Sequence, residues 1–226
     1  MPALRALSAR CRVISYSLGP AKTFDELVAQ VDRVLDERGV KAAAICGVSF
    51  GGLIAAKYAA ARPERTTAVV VVSTPSPAWT PSAEQARYLA SPWLSTPSFL
   101  VTSPGRMWPE IAAAIEDWPS RVRFCAGHVG RMLTAPIVPA QMAELMKLSP
   151  GIELRDDCAK VRARALVITG APDLDRVVPA ASTREFIQLF RDVEYAMMDK
   201  TGHIGLVTQP ERFARIVGEF LNGSSS

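Results

Sequence analysis

Apolar residues recur along this chain in two rhythms, and the two alternate. Between Phe24 and Leu35 the apolar positions are Phe24, Leu27, Val28, Val31, Val34 and Leu35. That three-and-four spacing lays a stripe along one face of a helix. Thr23 stands where a cap is needed, with Glu26 three residues on, in a capping-box pattern, and Gly39 ends the helix. Lys41 to Cys46 is then a short apolar run without polar alternation. It predicts a buried strand, as does Ala68 to Val72, while the Ala-rich stretch Gly51–Ala61 between them, stopped by Pro63, predicts a helix. Upstream, Arg12 to Tyr16 is β-branched and runs out at Gly19-Pro20, which predicts a strand leaving into a loop.

From Thr74 the rhythm breaks. Prolines crowd in at Pro75, Pro77, Pro81, Pro92, Pro97, Pro104, Pro109 and Pro119, and Trp79, Trp93, Trp108 and Trp118 all fall here. Helical stretches such as Ile111–Asp117 and Gln141–Leu148 are short. So much aromatic content argues against a disordered linker. Residues 75–150 are therefore expected to form a mostly helical lid, inserted into a core made of 1–74 and 151–226. After Pro150-Gly151 the alternation returns. It predicts a helix at Asp156–Arg162, a strand at Ala165–Thr169, a helix at Ser182–Phe190, a strand at Val193–Met198 and a closing amphipathic helix at Glu211–Leu221. Continuous apolar strands alternating with helices predict an α/β fold, a mostly parallel sheet with helices on both faces.

Composition narrows the function classes. A chain of 226 residues fits one domain, or one core with an insertion. The net charge is +4, but the basic residues are scattered, and the densest group, Arg155 to Arg164, also holds Asp156 and Asp157. That is a solvated surface rather than a nucleic-acid stripe. No segment carries about 18 uninterrupted apolar residues, so no membrane span is expected. No apolar leader is seen at the N-terminus. The four cysteines, Cys11, Cys46, Cys125 and Cys158, stand far apart, and only His128 and His203 supply imidazoles. No metal-ligand spacing results, so no metal or other cofactor is expected. Free thiols suit a reducing cytosol, and Cys46 in its apolar run is expected to be buried.

The candidate chemistry sits between the first long helix and the second apolar strand, in Gly47-Val48-Ser49-Phe50-Gly51-Gly52. A G-x-S-x-G run that follows a buried strand and opens a helix is a tight turn for a nucleophile. Small neighbours at Gly47 and Gly51 avoid collision across the turn, and Gly52 lets the helix pack closely. The turn pushes Ser49 Oγ out at the strand's carboxyl end. There the helix N-terminus presents free N–H groups, and the N–H of Phe50 is placed to receive an oxyanion. A serine needs a base. His203, between Gly202 and the Ile204-Gly205 pair, is the candidate. His128 reads as structural or pocket-lining. The base in turn needs a carboxylate, which Asp173 or Asp175 can supply from the loop after a buried strand, with Asp199 as a third candidate.

These pieces together resemble the α/β-hydrolase superfamily, and within it bacterial lidded hydrolases of the esterase/lipase type. The matching stretches are Ile45–Gly52, Arg62-Pro-Glu-Arg65, Asp175-Arg-Val-Val-Pro179 and Thr201-Gly-His203. The resemblance implies Ser49 as nucleophile, His203 as base and Asp175 as acid, with Asp173 the runner-up. It implies a serine hydrolase that takes a small apolar ester and forms an acyl-enzyme. The apolar pocket would come from the lid: Trp79, Trp93, Met107 and Trp108, with His128 beside them. The pattern departs from the family at its start. Family members carry several strands before Arg12–Tyr16, and one of them leads to a His-Gly loop that supplies the second oxyanion N–H. No such loop precedes residue 12 here, so the sheet is expected to lack its N-terminal strands. Either a gap then opens beside the strand that carries Ser49, or Arg12–Tyr16 takes the vacant place. An incomplete oxyanion hole keeps a non-catalytic binding protein as an alternative. An acyltransferase or a C–C hydrolase on the same scaffold is another. Nothing in the sequence sets an oligomeric state.

Overall fold

The structure, a computed structural model, describes residues 2–91, 105–134, 139–149 and 152–223. Its sheet has four parallel strands, β1 (Ala43–Val48), β2 (Thr66–Val72), β3 (Arg164–Gly170) and β4 (Val193–Met198), lying side by side in chain order. The two inner strands are apolar at nearly every position because both their faces are covered. Val69 and Val71 of β2, with Ala165 and Val167 of β3, join one core layer, while Val70, Val72, Leu166 and Ile168 join the other. The first layer is closed by α2 (Phe24–Glu37), α3 (Phe50–Ala61) and α8 (Leu154–Lys160). The second is closed by α1 (Pro2–Ser8) and α12 (Pro210–Leu221).

Local rules account for the helices. In α2 the predicted stripe is the buried face, with Phe24, Leu27, Val28, Val31 and Leu35 inward. The Glu26 N–H donates to Thr23 Oγ1 at 3.2 Å, and the Glu26 carboxylate accepts the Lys22 N–H at 2.7 Å. Only the first half of the expected capping box is present, since the Glu26 side chain takes the Lys22 amide rather than that of Thr23. In α3 no polar face exists. Leu53, Ile54, Ala55, Ala56, Tyr58 and Ala59 are all buried, because the helix is wedged between the sheet and its neighbours. The described part of segment 75–150 carries α4 (Ala83–Ala90), α5 (105–114), α6 (Trp118–Thr134) and α7 (Pro139–Met146), with irregular chain at 75–82 and between helices. The helix expected over Ser182–Phe190 is two short ones, α9 (Ala180–Arg184) and α10 (Phe186–Leu189).

The start of the chain differs from expectation. Residues 2–8 form a helix, and Arg12–Tyr16 is not a strand; the chain from Arg12 to Pro20 is irregular. A strand requires a partner for its main-chain groups, and among the described residues none pairs with this segment. Between it and the open edge of β1 lies a cleft of about 680 Å³, with Val13, Ile14 and Tyr16 on one side and Ile45, Cys46 and Gly47 on the other. Of the two arrangements expected, the gap is the one found. Cys46 is consequently exposed rather than buried. Apolar groups still surround its thiol, and this desolvation pushes it up to about 12. The cleft admits water, so the thiol is reachable but poorly ionised.

One polar cluster ties the first layer together. Asp32 of α2 accepts from the Tyr58 hydroxyl at 2.9 Å, from Arg62 Nε at 2.9 Å and from Arg65 Nη1 at 2.9 Å. The Arg62-Pro-Glu-Arg65 stretch is therefore a clamp from the end of α3 back to α2. Tyr58 is fully buried, and removing Asp32 strands its hydroxyl and takes from Arg62 its carboxylate partner, while Arg65 keeps Asp36. Asp32→Ala should lower unfolding free energy by about 2 kcal/mol, after allowance for the partial exposure of both arginines. Urea denaturation measures this, and a loss below about 0.5 kcal/mol contradicts the clamp.

Candidate active site

Three of the four strands deliver a candidate residue to one edge of the sheet. Ser49 follows β1, Asp175 follows β3 and His203 follows β4. Because the strands are parallel, these are all carboxyl ends, where ligands bind in open α/β sheets.

Ser49 has φ 53° and ψ −126°. A positive φ at a residue with a side chain costs of order 1–3 kcal/mol and persists only where its surroundings impose it. They do so here in three ways. The Ser49 N–H donates to the Val72 carbonyl at 2.8 Å, fixing the turn to the end of β2. A Cβ at Gly47 would stand 2.0 Å from the Gly51 carbonyl oxygen. One at Gly52 would stand 1.9 Å from Thr74 Oγ1, and Thr74 is fully buried with its hydroxyl donated to the Val72 carbonyl at 3.1 Å. Gly51 differs from expectation. A Cβ there meets nothing within 4 Å, because the residue lies on the wall of the open cleft. Phe50 opens α3, so its N–H is one of those that have no partner within the helix. The Phe50 ring is held against Phe24 with centroids 5.7 Å apart.

His203 stands in the loop between β4 and α11 (Gly205–Thr208). Its Nδ1 is 3.3 Å from the Asp175 carboxylate, which is almost wholly enclosed. Asp175 Oδ1 also accepts the N–H groups of Val177 at 3.1 Å and Val178 at 2.9 Å. A carboxylate at Nδ1 selects the tautomer protonated there and leaves the Nε2 lone pair free to act as a base. The Ala171 N–H donates to the Thr201 carbonyl at 2.8 Å, tying the acid loop to the histidine loop. Of the other acids, Asp173 is exposed, and Asp199 is paired with Arg212 at 2.7 Å. Among the described residues, Ser49 Oγ makes no hydrogen bond to the imidazole. Such contacts are often long in unliganded enzymes and tighten with substrate.

The aromatic candidates are more dispersed. Trp79 and Met107 are half-buried. Trp108 is exposed and packs edge-on against Trp118, centroids 6.0 Å apart. Trp93 and the His128 side chain lie outside the described residues, although the His128 backbone is in α6. Trp79, Met107 and Trp108 do not line the cleft beside β1. Among the described residues no cluster of three or more His, Cys, Asp or Glu side chains could hold a metal ion, and no helix is long and apolar enough to cross a membrane.

One buried acid was missed in the sequence. Glu110 of α5 is 3% exposed, and its two oxygens stand 3.0 and 3.2 Å from the Ile204 N–H, next to His203. Burial pushes its carboxyl above the ordinary range, while the N–H groups of Gly202 and Ile204 pull it back down. The signal that could have found it is a lone charge in an otherwise apolar run, Pro109-Glu110-Ile-Ala-Ala-Ala-Ile115.

Residues 2–216 match the sequence profile of the alpha/beta hydrolase family. The chain belongs to that family. Two pimeloyl-[acyl-carrier protein] methyl ester esterases, from Yersinia enterocolitica and Aromatoleum aromaticum, are each 27% identical to this alpha/beta hydrolase over 201 residues. The match takes in 80% of this chain in both cases, and 69% and 74% of the two esterases respectively. The fold is also that of the enol-lactonase from Burkholderia xenovorans, at TM-score 0.69 and 21% identity, covering 98% of this chain and 85% of that one. A hydrolase from Pseudomonas aeruginosa gives TM-score 0.70 and 24% identity over 92% and 75% of the two chains.

The glycine geometry of this alpha/beta hydrolase yields a contrast that stability measurements can check. Gly52→Ala forces a methyl group into buried Thr74 and should cost at least about 3 kcal/mol or prevent folding. Gly51→Ala should be neutral or stabilising by up to about 1 kcal/mol, since its site is open and helical. Equal effects on thermal midpoint would contradict the geometry.

Proposed function

We propose that the protein is a serine hydrolase of carboxylic esters, acting through Ser49, His203 and Asp175. The observation that carries this reading is the enclosed Asp175 carboxylate at His203 Nδ1, on the same sheet edge as the strained turn at Ser49. Ser49 Oγ attacks the ester carbonyl carbon as His203 Nε2 takes the hydroxyl proton. The tetrahedral oxyanion receives the Phe50 N–H. Collapse breaks the carbon–oxygen bond to the alcohol, and His203 returns its proton to the leaving oxygen. Water, deprotonated by the same nitrogen, then releases the acid from the acyl-enzyme. Asp175 holds the imidazole orientation and stabilises the imidazolium. No cofactor takes part.

The 27% identity to two methyl ester esterases supports an ester as the substrate. The tryptophans of segment 75–150 favour a small apolar acyl group, with that segment acting as the lid over the strand ends. Free cysteines fit a reducing compartment. A second reading, ligand binding without turnover, is favoured by one specific observation. Phe50 is the one oxyanion donor the turn supplies, and the edge of β1 beside it is open. Loss of an oxyanion donor lowers the rate by roughly 10²–10³-fold.

Hydrolysis of p-nitrophenyl butyrate separates the two readings. The native protein should turn it over, Ser49→Ala should abolish turnover, and Asp175→Asn should lower kcat by roughly 10³–10⁴-fold. Asp173→Asn should leave kcat within about twofold, because its side chain is exposed and Asp175 is the carboxylate paired with the imidazole. Turnover that survives Ser49→Ala rules the proposal out, and no turnover in a folded native protein favours the binding reading.

A further inference from the structure

We propose that Glu110 is a positioning residue for the base, through which α5 sets the placement of His203. The inference rests on the reading of His203 as the base. Glu110 does not touch the imidazole-bearing residue's side chain in any hydrogen bond. It holds the residue that follows His203 and packs against the one before. Both its oxygens accept the Ile204 N–H, at 3.0 and 3.2 Å, and Gly202 packs against the same carboxylate. Gly202 is confined from two directions. A Cβ there would lie 2.5 Å from the Leu174 carbonyl oxygen and 2.8 Å from Glu110 Oε2. The histidine loop is thus gripped between the acid loop, through Leu174, and α5, through Glu110.

A second contact joins the same two segments. Lys200, itself at φ 60°, is 2.6 Å from Glu116 just beyond α5. The end of α5 is in turn fixed by Arg121, whose guanidinium donates to the carbonyls of Ala112 at 2.9 Å and Ile115 at 2.6 Å. The exposed Lys200 pair contributes little by itself. The buried Glu110 carboxylate is different, because a charged acceptor in that setting fixes the Ile204 amide with strong bonds. The arrangement makes the position of α5 and the position of Nε2 parts of one unit. A helix of segment 75–150 then does more than cover substrate; its seating places the base.

Steady-state kinetics on p-nitrophenyl butyrate distinguish this from a merely structural staple. Glu110→Ala should lower kcat roughly 10–100-fold with KM nearly unchanged, the pattern expected when a base is misplaced by about an ångström. Glu110→Gln, which keeps a carbonyl acceptor for the Ile204 amide, should recover most of that loss. Should Glu110→Ala fail to fold, Glu110→Asp, whose carboxylate is withdrawn by one methylene, should show the same kcat-only loss. A rise in KM at constant kcat, or native kinetics in Glu110→Ala or Glu110→Asp, overturns the proposal. Hydrogen exchange of the Ile204 amide gives a readout independent of activity. It should accelerate in Glu110→Ala or Glu110→Asp and stay close to native in Glu110→Gln. A native protein without Ser49-dependent turnover defeats the hydrolase reading alone. Unchanged Ile204 exchange in the folded variants defeats the positioning role.

Discussion

The backbone of Ser49 is the constraint on which the rest of the structure turns. Its positive φ is a local cost that the neighbourhood must offset, and the residues that do so are distributed over three elements. The Val72 carbonyl at the end of β2 holds the Ser49 amide, and Gly47 and Gly52 leave room for a turn that any larger residue would block. Thr74 fills the space that Gly52 leaves and is fixed by the same Val72 carbonyl. The helix that starts at the turn is buried on nearly every side and pinned through Tyr58 and Arg62 to Asp32. Strain at one residue is thereby maintained by a core of ordinary apolar packing and one polar clamp.

The opposite side of β1 has no such support. The inner strands are sandwiched, but β1 borders an open cleft, and several features follow from that single fact. Arg12–Tyr16, with a β-branched composition suited to a sheet, stays irregular because no strand among the described residues pairs with it. Cys46 faces the cleft rather than a neighbour, and Gly51 lies in free space although its pattern position suggested crowding. The turn at Ser49 is thus fixed on the β2 side and open on the other.

Much of this was legible in the sequence, for physical reasons. The stripe from Phe24 to Leu35 and the runs Lys41–Cys46, Ala68–Val72, Ala165–Thr169 and Val193–Met198 predicted helix and strands because burial dictates periodicity. The G-x-S-x-G turn was readable because its glycines answer a local steric demand. Between Asp173 and Asp175 the residues alone gave no choice. The structure separates them by burial, since only Asp175 turns inward to the imidazole. What was not legible depends on contacts distant in the chain. Helix α1 depends on its packing against α12, and the irregular Arg12–Tyr16 on the open edge of β1 beside it. Glu110 depends on a helix in one segment reaching a loop more than ninety residues later. No spacing rule registers such a meeting.

The proposed site would join a serine held in a strained turn to an imidazole paired with Asp175, with the imidazole's own loop seated from outside the sheet. The central claim is that Ser49 is a nucleophile made reactive by this setting. It is tested most directly by treating the folded protein with a fluorophosphonate and locating the adduct by mass spectrometry of its peptides. The account predicts a single stoichiometric adduct on Ser49, formed much more slowly when His203 is replaced by alanine. No adduct on the folded native protein, or an adduct on another residue that persists in Ser49→Ala, would contradict it.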